Sequence, residues 1–162
     1  MVEPIVRHAR RSDRPELRWL EALARDHVVA VRGGDLWLER HPEQSPGWPA
    51  IDVGEVLVST IDAVPIGYLR LHVEAGVVYV DDVFVHPGAR EVGCGEALLA
   101  AAIEHGVTAG ARRIEAEALP GDRETKNLYE RAAITAKRIT VSSPIGVSAD
   151  VSSPRERRWS QS

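Results

Sequence analysis

The sequence predicts an α/β fold of the α+β kind, in which helices flank a mixed and mostly antiparallel central sheet. Two features of the chain support this prediction. Three apolar, strand-like segments follow one another across short turns, which is typical of an antiparallel meander, and they are residues 55–60, 66–73 and 77–85. Helical and strand-like segments then alternate towards the C-terminus, which indicates further strands joined through helices.

The part of the chain before the meander predicts one strand and one helix. Residues 5–9 form the predicted strand. Ser12 or Asp13 can cap the helix, and Pro15 suits its first turn because no N–H is needed there. Residues 41–52 are rich in turn formers and predict a loop. One face of the helix is apolar and carries Leu17, Leu20, Leu23 and Ala24.

The part after the meander predicts two helices and two strands. The first helix is rich in alanine and leucine and is closed by Gly110. The strand after it shows alternating apolar residues. The predicted elements are a helix over 96–108, a strand over 113–118, a helix over 125–133 and a last strand over 137–142.

Length and composition favour one globular domain. With 162 residues, of which 44% are hydrophobic, the chain is near the commonest single-domain size and can bury a large core. We assign residues 1–145 to this domain. Residues 146–162 combine serines, a proline and arginines, and we expect them to form a flexible tail.

Charge and cysteine content argue against several classes of protein. A net charge of −4 disfavours a nucleic-acid partner. The single cysteine, Cys94, excludes an intrachain disulfide and a multi-cysteine zinc site, and the six histidines contain no H-x-x-x-H pair, so we predict no metal. The chain has no secretory-type segment and no apolar run of the ~20 residues that a membrane span needs. We therefore expect a cytoplasmic protein that binds neither nucleic acid nor a membrane.

The segment 77–99 carries the most informative motif, an apolar strand followed by a proline turn and R-x-x-G-x-G at the start of a helix. Gly93 and Gly95 let backbone N–H groups approach a ligand without interference from a Cβ atom. The first turn of the helix adds unpaired N–H groups and the positive end of the helix dipole. The motif therefore predicts a site for a pyrophosphate.

Two common nucleotide-binding motifs do not fit this segment. The run G-x-x-x-x-G-K-[ST] is absent from the chain, and the dinucleotide motif lacks its third glycine because Leu98 occupies that position. The segment instead resembles the central motif of the GNAT acetyltransferase superfamily, V-x-V-x-P-x-x-R-x-x-G-x-G-x-x-L-L. The matching residues are Val83, Val85, Pro87, Arg90, Gly93, Gly95, Leu98 and Leu99.

A second segment, 121–134, resembles a later motif of the same family, N-x-x-A-x-x-L-Y-E-x-x-G-F. Asp122 stands in the position of the family's Asn, and Thr125 in that of its small residue. The family's Gly-Phe is replaced by alanine and isoleucine. The resemblance covers about residues 54–141, and the matching residues of this block are Leu128, Tyr129 and Glu130.

This resemblance implies that the protein binds acetyl-CoA and transfers its acetyl group to an amine by direct attack. It implies a splayed pair of strands, where backbone groups of Val83, Phe84 and Val85 would pair with the pantetheine arm. Asp122 and Thr125 would lie near that arm. The loop that would hold the pyrophosphate consists of Arg90, Glu91, Val92, Gly93, Cys94, Gly95 and Glu96.

Tyr129 is the candidate general acid. The resemblance implies that it stands where family members place a tyrosine that protonates the departing thiolate. A phenol held close to a thiolate can donate to it. The alternative interpretation is a helix tyrosine that packs on the sheet with its hydroxyl satisfied.

Asp81 is the candidate general base. Strand periodicity predicts one face that carries Asp81 with Tyr79, Val83 and Val85, and places Asp82 on the other. Adjacent carboxylates are costly to bury, so at least one should lie in a wet or functional cleft, unless it pairs with an arginine or meets solvent. Weaker candidates are His72 as a base, and Glu115 and Glu117 as contacts of the substrate amine.

Two functions are therefore open. The first is an acetyl-CoA-dependent N-acetyltransferase that acts on a small-molecule or protein amine. The second is a non-catalytic acyl-CoA-binding module, because Glu91 and Val92 replace residues that are usual in the family's loop. The resemblance also implies a homodimer as a common arrangement.

Overall fold

The computed structural model describes residues 2–146 as five strands and four helices. The strands are β1 (Ile5–His8), β2 (Val56–Ile61), β3 (Val64–Glu74), β4 (Val77–Val85) and β5 (Arg113–Ala116). The helices are α1 (Arg14–Val29), α2 (Gly34–Arg40), α3 (Cys94–Thr108) and α4 (Arg123–Arg131).

The five strands form one sheet in chain order, from β1 at one edge to β5 at the other. Strands β1 to β4 pair in antiparallel fashion, and β5 pairs with β4 in parallel. Two-residue turns with positive φ, Asp62-Ala63 and Ala75-Gly76, join the hairpins, and this is the turn conformation that matches strand twist. A parallel pair needs a long crossover, which α3 supplies. The predicted fold class is confirmed.

The two faces of the sheet bury separate clusters. Leu17 and Leu20 of α1 pack with Tyr68 and Phe84 on one face. On the other face, the apolar side of α3 packs against β3 and β4. Each fully buried leucine contributes roughly 1.5–3 kcal/mol relative to an exposed one. The second cluster includes Leu69, Leu71, Val78, Val80, Leu98, Leu99 and Ala102.

Strands β4 and β5 separate after a short paired region. Val77 to Val80 pair with Arg113 to Ala116, and no later residue of β4 pairs with β5. Strand β4 continues to Val85 beside β3 alone. The sheet therefore has the splayed pair that the resemblance implies, with a wedge-shaped gap between the carboxyl ends of the two strands.

Asp13 stands at the N-cap position of α1, but its carboxylate does not cap that helix. Its oxygens accept hydrogen bonds at 2.7 and 2.9 Å from the Arg7 guanidinium, and one also accepts from the Arg10 N–H at 2.7 Å. The predicted helix is confirmed, but the side chain that was expected to cap it instead ties the end of β1 to the start of α1.

Two parts of the sequence prediction are wrong. Residues 137–142 form no strand, and Ile139 and Val141 are 84% and 89% exposed. β-branched residues favour a strand only where their backbone can pair with a neighbouring strand. Among residues 2–146, no segment pairs with the outer edge of β5. Helix α2 lies in a segment where the sequence predicted no element, because its seven residues are too few to show a helical period.

Residues 147–162 lie outside the described part of the chain, and with them almost all of the predicted tail. Across residues 2–146, no helix combines the length and the apolar character that crossing a membrane requires.

Candidate active site

A cavity of about 280 Å³ opens where β4 and β5 separate. One wall is the second half of β4, and the opposite wall is the segment after β5 together with α4. The first turn of α3 closes one end, and α1 and α2 close the other. The residues that α1 and α2 contribute are Ala24, His27, Val28 and Trp37.

A β-bulge at Asp81 changes which side chains of β4 face the cavity. Asp82 lies opposite Arg70 and Val80 lies opposite Leu71, so Asp81 has no partner on β3. The extra residue reverses the alternation, and Val83 packs on the α3 side of the sheet while Phe84 packs on the α1 side. The prediction that Tyr79, Asp81, Val83 and Val85 share one face is therefore wrong. It assumed that side chains alternate between the two faces along the whole strand, and a bulge interrupts this alternation.

Asp81 lines the cavity and contacts a histidine. One of its carboxylate oxygens lies 2.7 Å from the Nδ1 atom of His72, which donates when it carries a proton. The His72 ring stacks on Tyr79 at 4.9 Å between centroids. Asp81 is thus held at the cavity by a neighbouring strand, whereas His72 itself lies outside the cavity wall.

Asp82 also lines the cavity and is the more enclosed of the two aspartates. The Tyr68 hydroxyl donates to its carboxylate at 2.7 Å. Burial raises the pKa of the Asp82 carboxyl, although the Tyr68 hydrogen bond and the charge of Arg70 oppose that rise. Burial and the charge of Asp82 in turn raise the pKa of the Tyr68 phenol, which therefore stays a donor.

The loop before β2 packs against Tyr68. Glu21 of α1 is buried and accepts hydrogen bonds from the backbone N–H groups of Gln44 and Ser45, each at 2.8 Å. This anchors the loop so that Trp48 is fully buried, with its ring centroid 5.2 Å from that of Tyr68 in a T-shaped arrangement. The loop predicted over 41–52 is therefore packed into the core.

The free edge of β4 offers backbone groups to the cavity. The His86 N–H donates to the Ile66 carbonyl at 2.8 Å, and hydrogen bonding alternates along an antiparallel pair. Phe84 therefore directs its backbone groups to β3, whereas Val83 and Val85 direct theirs to the gap. Phe84 thus lines the cavity while its backbone amide faces β3.

The loop that begins at Arg90 leads into α3, and the N-terminus of this helix has no side-chain cap among the described residues. Gly93 adopts a φ of +83°, which disfavours a side chain, and the space around it is open. The Ala97 N–H bonds to the Gly93 carbonyl at 3.0 Å, and no side chain among the described residues caps this helix end. The N–H groups of Cys94, Gly95 and Glu96 are thus left without partners within the helix.

A side chain at Gly95 would crowd α4. A Cβ atom at this position would lie 2.9 Å from the nearest methyl carbon of Leu128 on α4. The sequence explained Gly95 by ligand approach, and the close contact between α3 and α4 is a second reason for a small residue here. Cys94 is fully buried in the α3 cluster, as expected for an inward-packing residue.

Charged side chains of the loop are held by partners on or near α4. Arg90 forms an ion pair with Glu124 and donates from Nε to the Val85 carbonyl at 3.3 Å. Arg131 lies 2.7 Å from Glu96. Glu91 and Val92 are exposed at the loop surface, and Glu91 lies at the rim of the cavity.

Tyr129 projects from α4 into the cavity and is only 6% exposed. Its hydroxyl makes no hydrogen bond with any group in residues 2–146, and it is not among the buried polar atoms that lack a partner, so it is accessible from the cavity. Burial raises the pKa of the Tyr129 phenol, and the charges of Asp82, Asp122 and Glu117 raise it further.

Asp122 and Thr125 form the start of α4 at the cavity wall. The Asp122 carboxylate accepts from the Thr125 N–H at 3.2 Å and from its hydroxyl at 2.7 Å, which makes Asp122 the N-cap. His27 Nε2 lies 3.9 Å from the same carboxylate. Both predicted residues thus border the cavity and bind each other.

Sequence reasoning missed His27 and Trp37, which close the far end of the cavity. The apolar face of α1 continues from Leu20 and Ala24 to His27 at helical spacing, and this continuation could have identified His27. Glu117, one of the two glutamates predicted to contact the substrate amine, lines the cavity. The other, Glu115, forms an ion pair with Arg113. No group of three or more potential metal ligands occurs in the described range.

Residues 14–133 match the family model of the acetyltransferase (GNAT) family. No curated protein matches the chain. Several solved structures share its fold.

The tetramutant of the BH1408 protein from Bacillus halodurans aligns with a TM-score of 0.70 and 22% identity, over 87% of this chain and 99% of that one. The aminoglycoside acetyltransferase AAC(6')-Iy, in complex with a bisubstrate analogue of CoA, aligns with a TM-score of 0.62 and 16% identity, over 88% and 98% of the two chains. The yncA protein of Salmonella typhimurium, solved with its cofactor acetyl-CoA, aligns with a TM-score of 0.62 and 19% identity, over 80% and 78%.

Proposed function

Because the chain belongs to the GNAT acetyltransferase family, we propose that it transfers an acetyl group from acetyl-CoA to a primary amine by direct attack. The observation that carries this proposal is that three features open into one cavity. They are the uncapped N-terminus of α3, the free backbone edge of β4 and the Tyr129 hydroxyl, which bonds to no group in residues 2–146. An anion site, a hydrogen-bonding edge and a proton donor are what acyl transfer from CoA needs.

The residues around the cavity are suited to binding acetyl-CoA. The N–H groups of Cys94, Gly95 and Glu96 would hold its pyrophosphate, since helix N-termini bind anions. Backbone groups of Val83 and Val85 would bind its amide-containing arm. Arg90 would exchange its pair with Glu124 for the phosphates, because both ends of that pair line the cavity.

The chain supplies the proton transfers. Acetyl-CoA provides the activated acyl group when it is bound. Asp81 accepts the proton that the attacking amine loses as the N–C bond forms. Tyr129 gives its proton to the sulfur as the C–S bond breaks.

A second candidate function is a non-catalytic acyl-CoA-binding module. It is favoured by the environment of Tyr129, because burial and three nearby carboxylates raise its pKa and make it a weaker acid in the free protein. Binding of a cationic acceptor near these carboxylates would offset that effect, and we therefore favour the enzyme.

We further propose that it acts in the cytoplasm as a homodimer, since the edge of β5 has no partner in the described chain. Sedimentation velocity tests the homodimer.

Calorimetric titration with acetyl-CoA and CoA tests the cofactor site, with Gly93→Glu as the variant and Gly110→Glu as its control. Both glycines have positive φ and open surroundings, so both substitutions bring the same backbone strain, but only Gly93 borders the loop. We expect micromolar binding that is lost in Gly93→Glu and kept in Gly110→Glu. Absence of binding by the unmodified protein would overturn the proposal.

A further inference from the structure

Two ion pairs connect α4 to the start of α3, and all four of their residues line the cavity. Arg90, in the loop before α3, pairs with Glu124 in the first turn of α4. Arg131, the last residue of α4, pairs with Glu96 in the first turn of α3. Its Nη2 and Nε atoms lie 2.7 and 2.9 Å from one Glu96 oxygen. The two pairs therefore tie both ends of α4 to the segment that would hold a pyrophosphate.

The two pairs occupy the guanidinium groups that the cavity offers to an anion. Arg90 and Arg131 are the arginines that line the cavity in the described part of the chain. Glu96 supplies a backbone N–H to the proposed phosphate seat and also carries the carboxylate that Arg131 neutralises. A carboxylate at this place repels a phosphate unless a positive charge stays beside it. In the free protein, both arginines thus serve glutamates.

A phosphate and a carboxylate compete for the same guanidinium, because both accept hydrogen bonds from its planar donor groups. The Glu124 and Glu96 side chains are 61% and 44% exposed. Ion pairs at exposed sites contribute little to stability, and a released glutamate regains its hydration. A ligand that brings several phosphate charges can therefore replace both glutamates, whereas a neutral ligand cannot.

We propose that the pairs Arg90–Glu124 and Arg131–Glu96 form a latch, which holds α4 against the start of α3 in the free protein and which the cofactor phosphates open by replacing the two glutamates. This inference rests on the proposed binding of acetyl-CoA and adds a regulation of that site. A ligand shifts such a contact only through its preference for the open state, and the phosphates provide that preference. Because α4 also carries Tyr129, opening the latch couples phosphate binding to the placement of the phenol.

The variant Glu124→Gln tests the latch by calorimetric titration with CoA, with Glu130→Gln as the matched control. Both substitutions remove one negative charge from an exposed position of α4. Glu130 does not line the cavity and forms no ion pair among the described residues. We expect Glu124→Gln to bind CoA about fivefold more tightly, because Arg90 is then free before the phosphates arrive, and Glu130→Gln to bind as the unmodified protein does.

The same substitution in an Arg90→Gln background separates the latch from simple repulsion. Arg90→Gln leaves no pair for the phosphates to break, so the gain from Glu124→Gln should largely disappear. Pantetheine has no phosphate and should bind equally to Glu124→Gln and to the unmodified protein. An equal gain in CoA affinity in both backgrounds, or an equal gain for pantetheine, would overturn the latch.

The second pair has its own test. We expect Arg131→Gln to weaken CoA binding several-fold, because it removes a phosphate partner and leaves the Glu96 charge uncompensated. Arg123→Gln is the control, since Arg123 lies on the same helix but is exposed and does not line the cavity. If CoA binds and Glu124→Gln leaves its affinity unchanged, the latch is wrong while the cofactor site stands. If the unmodified protein does not bind CoA, the proposed function is what fails.

Discussion

At the scale of single residues, Tyr129 shows most clearly how environment decides the role of a side chain. Its position in the sequence indicated an acid, and its placement gives the hydroxyl access to a cavity and no partner within the described part of the chain. The same enclosure raises the pKa of the phenol. A donor of this kind is effective only when bound ligands bring a proton acceptor within reach and offset the surrounding negative charge.

We expect Tyr129→Phe to lower kcat by about 10²-fold, because general acid catalysis typically contributes at least that much. The affinity for acetyl-CoA should change little, since the ring and its packing are kept. Tyr79→Phe is the control, because Tyr79 loses the same hydroxyl but lies outside the cavity wall. Steady-state kinetics and calorimetry check both variants, and full turnover by Tyr129→Phe would remove the acid role.

The candidate residues were found in the sequence where a motif fixed them, whereas periodicity identified Asp81 but assigned the faces of β4 wrongly. Arg90, Gly95 and Tyr129 all line the cavity. The faces of β4 were predicted wrongly because the bulge at Asp81 depends on pairing with β3, which no local pattern contains. His27 was missed because the group that it approaches, Asp122, belongs to a distant part of the sequence.

At the scale of elements, the contact between α3 and α4 sets the width of the site. These helices contact at Gly95 and Leu128, and α4 carries Tyr129 as the next residue. A change in their separation would therefore move the phenol relative to the loop. The two hairpins were predictable from local turns, whereas the predicted strand over 137–142 was wrong because a strand needs a partner as well as β-branched residues.

We expect Gly95→Ala to lower the free energy of unfolding by about 1–3 kcal/mol, because the added methyl would lie 2.9 Å from the Leu128 side chain. Combining it with Leu128→Ala creates room for the methyl. The double variant should therefore be less destabilised than the sum of the two single variants. Urea unfolding of all four proteins measures this coupling, and strict additivity would contradict the contact.

At the scale of the whole molecule, the Arg7–Asp13 pair joins the first strand of the sheet to the helix that covers one of its faces. Burial by itself would raise the pKa of the Asp13 carboxyl, but the hydrogen bonds from Arg7 and the Arg10 N–H outweigh burial and lower it. A carboxyl whose pKa is lower in the folded protein stabilises the fold above the unfolded value of about 3.9. This contribution is lost as the pH falls through the folded pKa.

We therefore expect Asp13→Asn to lower the free energy of unfolding at pH 7 by about 2 kcal/mol, the usual contribution of hydrogen bonds to a charged group. The difference from the unmodified protein should shrink as the pH falls from about 4 towards the lower folded pKa, because the carboxyl is protonated first in the unfolded state and then in both states. Asp52→Asn is the control, since Asp52 also pairs with an arginine, Arg11, but at an exposed site where such pairs contribute little. Urea unfolding at several pH values measures both variants. A destabilisation by Asp13→Asn that is the same at pH 7 and pH 3 would mean that packing at this junction, and not the charge of Asp13, holds strand and helix together.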